Sequence, residues 1–111
     1  MSAAAEFVVV LVTAGNRDEG LRIGRALVEE RLAACVNVVG PICSIYRWEG
    51  AVEEAEEHLL VVKARAGDLD ALAARVRALH SYDVPEVLAL PVTAGSEDYL
   101  AWLGRVTMRG G

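Results

Sequence analysis

The chain has 111 residues, with 16 acidic against 11 basic side chains and a formal net charge of −5. This length predicts a single domain over residues 1–111. The acidic balance, without any basic run, argues against nucleic-acid binding, and no apolar stretch approaches the roughly 20 residues of a membrane-spanning helix. Residues 1–6 carry no secretion-signal pattern. We therefore expect a cytoplasmic protein that binds neither nucleic acid nor a membrane.

The first third of the chain predicts a strand and then a helix. Residues 7–13 (FVVVLVT) are apolar in both alternations, which is typical of a strand buried on both faces. Asn16 is a favoured helix N-cap residue, and Glu19, three residues on, has the spacing of a capping box. Apolar residues then recur at helical spacing from Leu21 to Leu32.

The middle of the chain predicts a long hairpin. Residues 33–39 (AACVNVV) form a strand that Gly40-Pro41 interrupts as a bulge or kink, because proline cannot donate to a sheet ladder. Residues 42–48 resume the strand, and Glu49-Gly50 is a hairpin turn signal. The returning strand over residues 51–66 is acidic in its first half and apolar in its second. We expect the acidic half to project beyond the compact body.

The last third predicts a helix, a strand and a short helix. An apolar stripe runs at helical spacing from Leu69 to His80. Residues 86–92 form the final strand, Ser96 caps a third helix, and residues 108–111 are expected to form a frayed tail.

This order of elements predicts an α+β protein with the ferredoxin-like split βαββαβ arrangement, an extra C-terminal helix and an extended hairpin. Two main helices can cover only one face of a four-stranded sheet. Three strand segments are nevertheless apolar in both alternations, over residues 8–12, 59–62 and 87–90. The uncovered face therefore needs a partner, and we expect the chain to oligomerise.

Soft metal ligands are few, and their packing roles are favoured over metal binding. Cys35, Cys43, His58 and His80 do not have the short spacings of a structural zinc site. Cys35 lies among apolar residues, where a thiol packs as a small hydrophobe. His80 closes a helix, where an imidazole can satisfy terminal carbonyls. His58 stands beside four glutamates, which indicates a solvated charged strand more than a weak cation site.

Lys63 directly follows an apolar run in a strand that should be central, and lysine is almost never fully buried without a partner. Strand alternation allows it to meet Asn37 near Cys35, with a carboxylate such as Glu86. Such a cluster could bind an anion or another ligand. Alternatively, the stem of Lys63 packs while its amine reaches solvent or a subunit interface. The residues alone leave both interpretations open.

Aromatic residues are scarce, and Tyr46 and Trp48 lie at the hairpin end, with Tyr82 after the second helix. Amphipathic aromatic side chains suit subunit interfaces and pocket mouths, and ordinary hairpin packing is the alternative. No acid–base pair or activated nucleophile is visible, so we do not expect an enzyme.

Four stretches carry a resemblance to a known family: ALVEERLAACVNV (26–38), SIYRWEG (44–50), LLVVK (59–63) and LHSYDVPEVLALPV (79–92), with YLAWL (99–103) closing the pattern. Together they closely resemble the CutA family, the divalent-ion tolerance proteins, from about residue 7 to residue 106. The chain departs from the family pattern at Ser81, where proline is usual, and at Ala64, where threonine is usual.

The resemblance implies a cytoplasmic homotrimer similar to the PII nitrogen-regulatory proteins, in which hairpins reach from one subunit to the next. It also implies a role in tolerance to copper and other divalent ions. The family's characteristic positions, which line clefts between subunits, fall on these residues: Cys35, Tyr46, Trp48, Lys63, His80, Tyr82, Pro85 and Glu86.

Three hypotheses remain open. The first is a trimeric metal-responsive protein in which copper or another divalent cation is held by Cys35, His80 and Glu86. Its cleft would be lined by a further set of family positions: Tyr46, Trp48, Lys63, Tyr82 and Pro85. The second is a PII-like sensor that binds an anionic or nucleotide-like ligand through Lys63, Tyr82 and Glu86. The third is a structural scaffold without catalysis.

Overall fold

Over residues 3–109, the part of the chain that the computed structural model describes, three helices accompany a four-stranded antiparallel sheet. The strands are β1 (Phe7–Ala14), β2 (Cys35–Trp48), β3 (Ala51–Arg65) and β4 (Leu88–Pro91), and the helices are α1 (Arg17–Glu29), α2 (Leu69–Leu79) and α3 (Glu97–Val106). The strand order is β2-β3-β1-β4. This confirms the predicted α+β, ferredoxin-like arrangement with an additional C-terminal helix. Among these helices, none has the length and apolar character needed to span a membrane.

One face of the sheet, the covered face, packs against α1 and α2. Successive strand side chains alternate between faces, so every second residue of β1 and β3 enters this layer. Its core consists of fully buried side chains from both layers: Val10, Val12, Leu60 and Val62 from the sheet and Ile23, Leu27, Leu72 and Val76 from the helices. The periodicity of the sequence predicted this layer correctly.

The opposite face, the open face, carries the other alternation and stays largely uncovered within the chain. Val9 and Leu11 of β1 are half-buried, and Leu88 and Leu90 of the edge strand β4 are 58% and 50% exposed. Helix α3 covers only one end of this face, where Leu103 packs with Phe7 and Ala34. Within one chain, β1 is therefore closed fully on one face only.

The β2–β3 hairpin projects from the body, as predicted. Its strands have 14 and 15 residues, against eight in β1 and four in β4, and the molecule measures 44 × 26 × 22 Å. Glu49 and Gly50 form the turn with φ angles of 49° and 83°. This pair of positive φ angles is typical of the type I′ turn, whose twist matches that of a hairpin.

The predicted interruption at Gly40-Pro41 is a register shift between Val39 and Ile42. Gly40 is required there by close approach, because a Cβ on this residue would lie 2.5 Å from Cδ2 of the His58 ring. His58 is thus half-buried against the bulge, and its Nδ1 is buried without a hydrogen-bond partner among residues 3–109. The predicted solvated strand is present at Glu53, Glu54 and Glu56, which are exposed, whereas His58 itself packs against the bulge.

Two element boundaries differ from the predictions. Helix α1 is capped by Asn16, whose side chain accepts the N–H of Glu19 at 2.8 Å, but it ends at Glu29 because Arg31 adopts a φ of 61°. Strand β4 begins at Leu88 rather than at residue 86. The carbonyl of Thr13, beyond the part of β1 that pairs with β4, is bonded to the His80 ring.

The predicted frayed tail is anchored at its start. The guanidinium of Arg109 donates to both carboxylate oxygens of Asp68, at 2.7 and 2.9 Å, and to the carbonyl of Arg31 at 3.2 Å. The remaining tail residues, 110 and 111, and residues 1 and 2 of the predicted N-terminal segment lie outside the described residues.

Candidate functional site: an acidic aromatic groove

A groove of about 670 Å³ continues the open face along the hairpin. It is lined by residues of the hairpin, the end of β1 and the segment after α2: Thr13, Ser44, Ile45, Tyr46, Trp48, Glu53, Glu57, Tyr82, Asp83, Val84 and Glu86. Three of these side chains are aromatic, four are carboxylates and none is basic. The groove therefore combines apolar walls with concentrated negative charge.

Hairpin pairing places the wall residues together. Tyr46 pairs with Glu53, and Ile42 pairs with Glu57. Paired residues of antiparallel strands point to the same side, and Trp48, two residues beyond Tyr46, shares that side. The alternation of β2 and β3 thus supplies one wall and the floor of the groove.

Glu57 is the buried carboxylate of the groove, with a side chain that is only 7% exposed. The hydroxyl of Tyr82 donates to its Oε2 at 2.7 Å. Within residues 3–109 this neutral hydroxyl is the only hydrogen-bond donor to the Glu57 carboxylate, and no lysine, arginine or histidine lies within 4.0 Å of it. A charge on a buried carboxylate is costly without a cationic partner, so a cation that enters the groove would supply the partner that residues 3–109 do not.

The charge of Glu57 is felt by two neighbouring groups. Burial, together with the hydrogen bond to Glu57 and its charge, raises the pKa of Tyr82. The protein packed around Glu86, followed by the charge of Glu57, raises the pKa of Glu86 above its ordinary value of 4.5. Both shifts have the sign expected where negative charge accumulates.

His80 holds the segment that carries Tyr82. Its Nε2 lies 2.7 Å from the carbonyl oxygen of Thr13, and its Nδ1 lies 3.0 Å from the backbone nitrogen of Tyr82. Since a carbonyl only accepts and an N–H only donates, Nε2 carries the proton and Nδ1 accepts. The ring is fully buried and lies tilted against the ring of Tyr82, with 4.6 Å between the ring centroids.

Glu19 supports the same segment, a role that no sequence pattern indicated. Its carboxylate accepts the N–H of Gly15 at 3.1 Å and the N–H of Ser81 at 2.8 Å, instead of the reciprocal bond that the capping-box pattern predicts. Burial raises the pKa of Glu19, but the hydrogen bonds from Ser81 and Gly15 and the nearby His80 outweigh it, and the pKa is lowered. A proline at position 81 could not donate this bond.

Lys63 lies in a separate polar cluster. It pairs with Cys35 across β2 and β3, its amine donates to Oδ1 of Asn37, and it lies 3.9 Å from the sulfur of Cys35. Lys63 also faces Val9, whereas the groove begins at Thr13. These positions are four residues apart along β1, which is on the order of 13 Å. The predicted pairing with Asn37 is present, and Glu86 lies in the groove instead.

The predicted metal ligands do not converge within one chain. Both ring nitrogens of His80 are already hydrogen-bonded, Cys35 lies with Lys63, and Glu86 lies in the groove. Across residues 3–109 no group of three or more histidine, cysteine, aspartate or glutamate side chains could hold a metal ion. The residues of a single chain therefore do not fit a metal site built from Cys35, His80 and Glu86.

The predicted cleft residues are also divided between the groove and the separate cluster around Lys63. Tyr46, Trp48 and Tyr82 line the groove, and Pro85 lies between two lining residues. Both thiols, Cys35 and Cys43, are free. Among the groove residues that sequence reasoning missed are two carboxylates of β3, the buried Glu57 and the exposed Glu53, which were assigned only to a charged strand.

Comparison with known proteins identifies relatives over nearly the whole chain. Residues 8–106 match a family model described as the CutA1 divalent ion tolerance protein. A divalent-cation tolerance protein CutA of Thermus thermophilus is 52% identical over 95 residues, which are 86% of this chain and 92% of that protein. The crystal structure of CutA1 from Oryza sativa superimposes with a TM-score of 0.92 at 46% identity, covering 98% of this chain and 100% of that one.

Some relatives are longer than this chain. The chloroplastic CutA protein of Arabidopsis thaliana is 50% identical over 100 residues, which are 90% of this chain but 55% of that protein. The chloroplastic CutA 1 of Oryza sativa is 47% identical over 96% of this chain and 60% of its own length. The chain thus spans little more than half of these plant relatives.

The names of relatives overturn the predicted location. Two relatives are named chloroplastic, and a structure from Archaeoglobus fulgidus, at 35% identity and a TM-score of 0.89 over 92% of this chain and 99% of that one, is titled a periplasmic divalent cation tolerance protein. The prediction of a cytoplasmic protein was therefore wrong, since members of this fold occur in several compartments. With its fold and these matches in agreement, the chain belongs to the CutA1 divalent ion tolerance family.

Proposed function

We propose that this chain acts in divalent-ion tolerance as a homotrimer that binds cations in the groove and catalyses no reaction. The observation that carries the proposal is the uncompensated carboxylate of Glu57 on the groove floor. It is supported by family membership and by the names of relatives, which refer to tolerance of divalent cations and to no catalysed reaction.

The open face supports assembly. Leu88, Leu90 and Val39 are 58%, 50% and 47% exposed in the single chain, and contiguous apolar surface of this kind is typical of protein interfaces. The groove continues the same face, so a neighbouring subunit on the open face would stand at its rim. Residues of that neighbour would then complete a site that one chain leaves unfinished.

The chemistry of the lining favours a cation. Glu53, Glu57, Asp83 and Glu86 together give the groove a negative field that attracts cations and repels anions. Oxygen ligands suit hard divalent ions better than copper(I), which prefers several thiolates. Copper(II), zinc and other divalent ions would therefore bind through carboxylates from more than one subunit.

The alternative of a PII-like anion sensor has less support. Its three residues are divided, because Lys63 lies with Asn37 while Tyr82 and Glu86 lie in the groove. The scaffold alternative accounts for the open face but not for a buried carboxylate that lacks a cationic partner.

Calorimetric titration of chelator-stripped protein with zinc and copper(II) tests the proposal. We expect saturable binding that Glu57→Gln weakens at least tenfold. The matched control is Glu56→Gln, which removes the same charge from the neighbouring residue on the opposite side of the hairpin strand. Binding no tighter than to an unrelated acidic protein, or equal losses in both variants, would contradict a groove that binds divalent ions.

A further inference from the structure

The walls of the groove have an aromatic character that the binding of a metal ion does not use. Trp48, Tyr46 and Tyr82 are 55%, 41% and 37% exposed and line the same cavity. Indole and phenol rings supply no strong ligand for a hard metal ion, but their faces attract cations that have shed water. Apolar walls with a few charged groups are typical of sites for small organic ligands.

The charged groups are placed at the floor. Glu57 is 7% exposed, receives one hydrogen bond from a neutral hydroxyl, and has no cationic partner among residues 3–109. A divalent ion such as calcium takes six or more oxygen ligands, and within the same residues no three candidate ligands converge. An organic cation needs fewer charged ligands than a metal ion. Its charge is spread over a larger surface, and it makes contact through carbon as well as nitrogen.

We propose that the groove binds an organic cation carrying an alkylammonium group, with Trp48, Tyr46 and Tyr82 around the alkyl part and Glu57 and Glu86 beside the charge. This inference rests on the proposed function only in taking the groove as a cation site. A volume of about 670 Å³ is within the range of roughly 300–1,000 Å³ typical of small-molecule sites.

The roles of the residues differ. Glu57 is only 7% exposed, so its carboxylate, once paired with a cation, is little screened by water and contributes most to affinity. Glu86, which is more exposed, adds a second negative charge. The rings select for alkyl substituents, since a cation gains from an aromatic face only when it gives up part of its hydration.

The experiment is a titration of the intact protein with tetramethylammonium and, in a second arm, with 1,4-diaminobutane at constant ionic strength. Calorimetry reports binding in every variant, and chemical shifts of the Trp48 indole locate the ligand in the variants that keep Trp48. Quaternary and primary ammonium groups are two sources of the same charge, and the arm that binds more tightly identifies which one the groove takes. The neutral analogues tert-butanol and 1,4-butanediol control for apolar binding alone.

Three variants locate the site. Glu57→Gln and Trp48→Leu should each weaken ammonium binding about tenfold, the first by removing charge and the second by removing the aromatic face while keeping apolar bulk. Glu56→Gln should leave binding unchanged. Circular dichroism of each variant verifies that the hairpin has folded.

The outcomes separate this inference from the proposed function. Saturable ammonium binding that depends on Glu57 and Trp48 supports the inference, even where zinc and copper do not bind and the metal role fails. Binding of zinc or copper without any ammonium binding overturns the inference and leaves the proposed function standing. Equal binding of the neutral analogues, or equal losses in Glu56→Gln, also overturns it.

Discussion

The two faces of the sheet are built from similar apolar residues but differ in burial. The covered face is closed within the chain, with Val10, Val12, Leu60 and Val62 fully buried. The open face carries the alternate positions of the same strands, yet Leu88 and Leu90 are about half exposed. Helix placement, rather than strand composition, makes this difference. The part of the open face that helix α3 leaves uncovered remains available to other molecules.

The two faces are also stabilised differently. Close packing of apolar side chains holds the covered face, and its cost of disruption scales with the volume removed. At the groove end of the open face, a few hydrogen bonds around Glu19, His80 and Tyr82 hold the segment 80–86. Packing, hydrogen bonding and charge should therefore respond to different substitutions.

The largest loss of stability is expected from a substitution in the core of the covered face. Leu72→Ala removes a fully buried side chain and should lower the free energy of unfolding by about 2–5 kcal/mol. Urea denaturation measures this loss. Leu88→Ala is the matched control on the open face, measured at protein concentrations low enough for single chains, where it should cost much less because its side chain is already exposed. Equal losses would show that the two faces do not differ.

An intermediate effect is expected from the hydrogen bonds that hold segment 80–86. Ser81→Pro removes the N–H that donates to the buried carboxylate of Glu19 and should cost about 1–3 kcal/mol. The backbone of His80, with ψ of 145°, is compatible with a following proline. Ser81→Ala keeps the N–H and loses only the hydroxyl contact with Glu19, so it should cost less than the proline variant, which loses both. The same urea series checks both variants, and a proline variant as stable as the alanine variant would refute the role of this bond.

How well a feature could be predicted from the sequence depends on how far apart along the chain its interacting residues lie. The covered face, the hairpin and the unpaired open face follow from local periodicity and from the number of helices, so they were predicted. The bond between Glu19 and Ser81 joins residues 62 positions apart, and no local pattern indicates it. Glu57 was assigned to a charged strand because composition does not show which member of a run of glutamates is buried.

The candidate metal ligands illustrate the same limit. Cys35, His80 and Glu86 were grouped by resemblance. In the chain, however, His80 is buried with both nitrogens bonded, and Cys35 lies beside Lys63. The aromatic part of the cleft was predicted better, since Tyr46 and Trp48 share a strand side by simple alternation.

The smallest effect on the folded protein is expected from removing the charge of Glu57, which should change the pKa values of its neighbours. Because the charge of Glu57 raises the pKa values of Glu86 and Tyr82, Glu57→Gln should lower both. The folded-state pKa of Glu86 lies above 4.5, so its contribution to stability is present below that pH and is lost as pH rises through the folded value. Carboxyl chemical shifts followed by NMR give the midpoint for Glu86. An unchanged midpoint in Glu57→Gln would contradict the coupling.

The central claim is that the open face is a working surface that copies of this chain cover. Light scattering of the purified protein at micromolar concentration tests it most directly, together with Leu88→Asp, which places a charge on that face. We predict a mass three times the 11.9 kDa of the chain, falling to that of one folded chain in Leu88→Asp. A wild-type mass of one chain would contradict the claim.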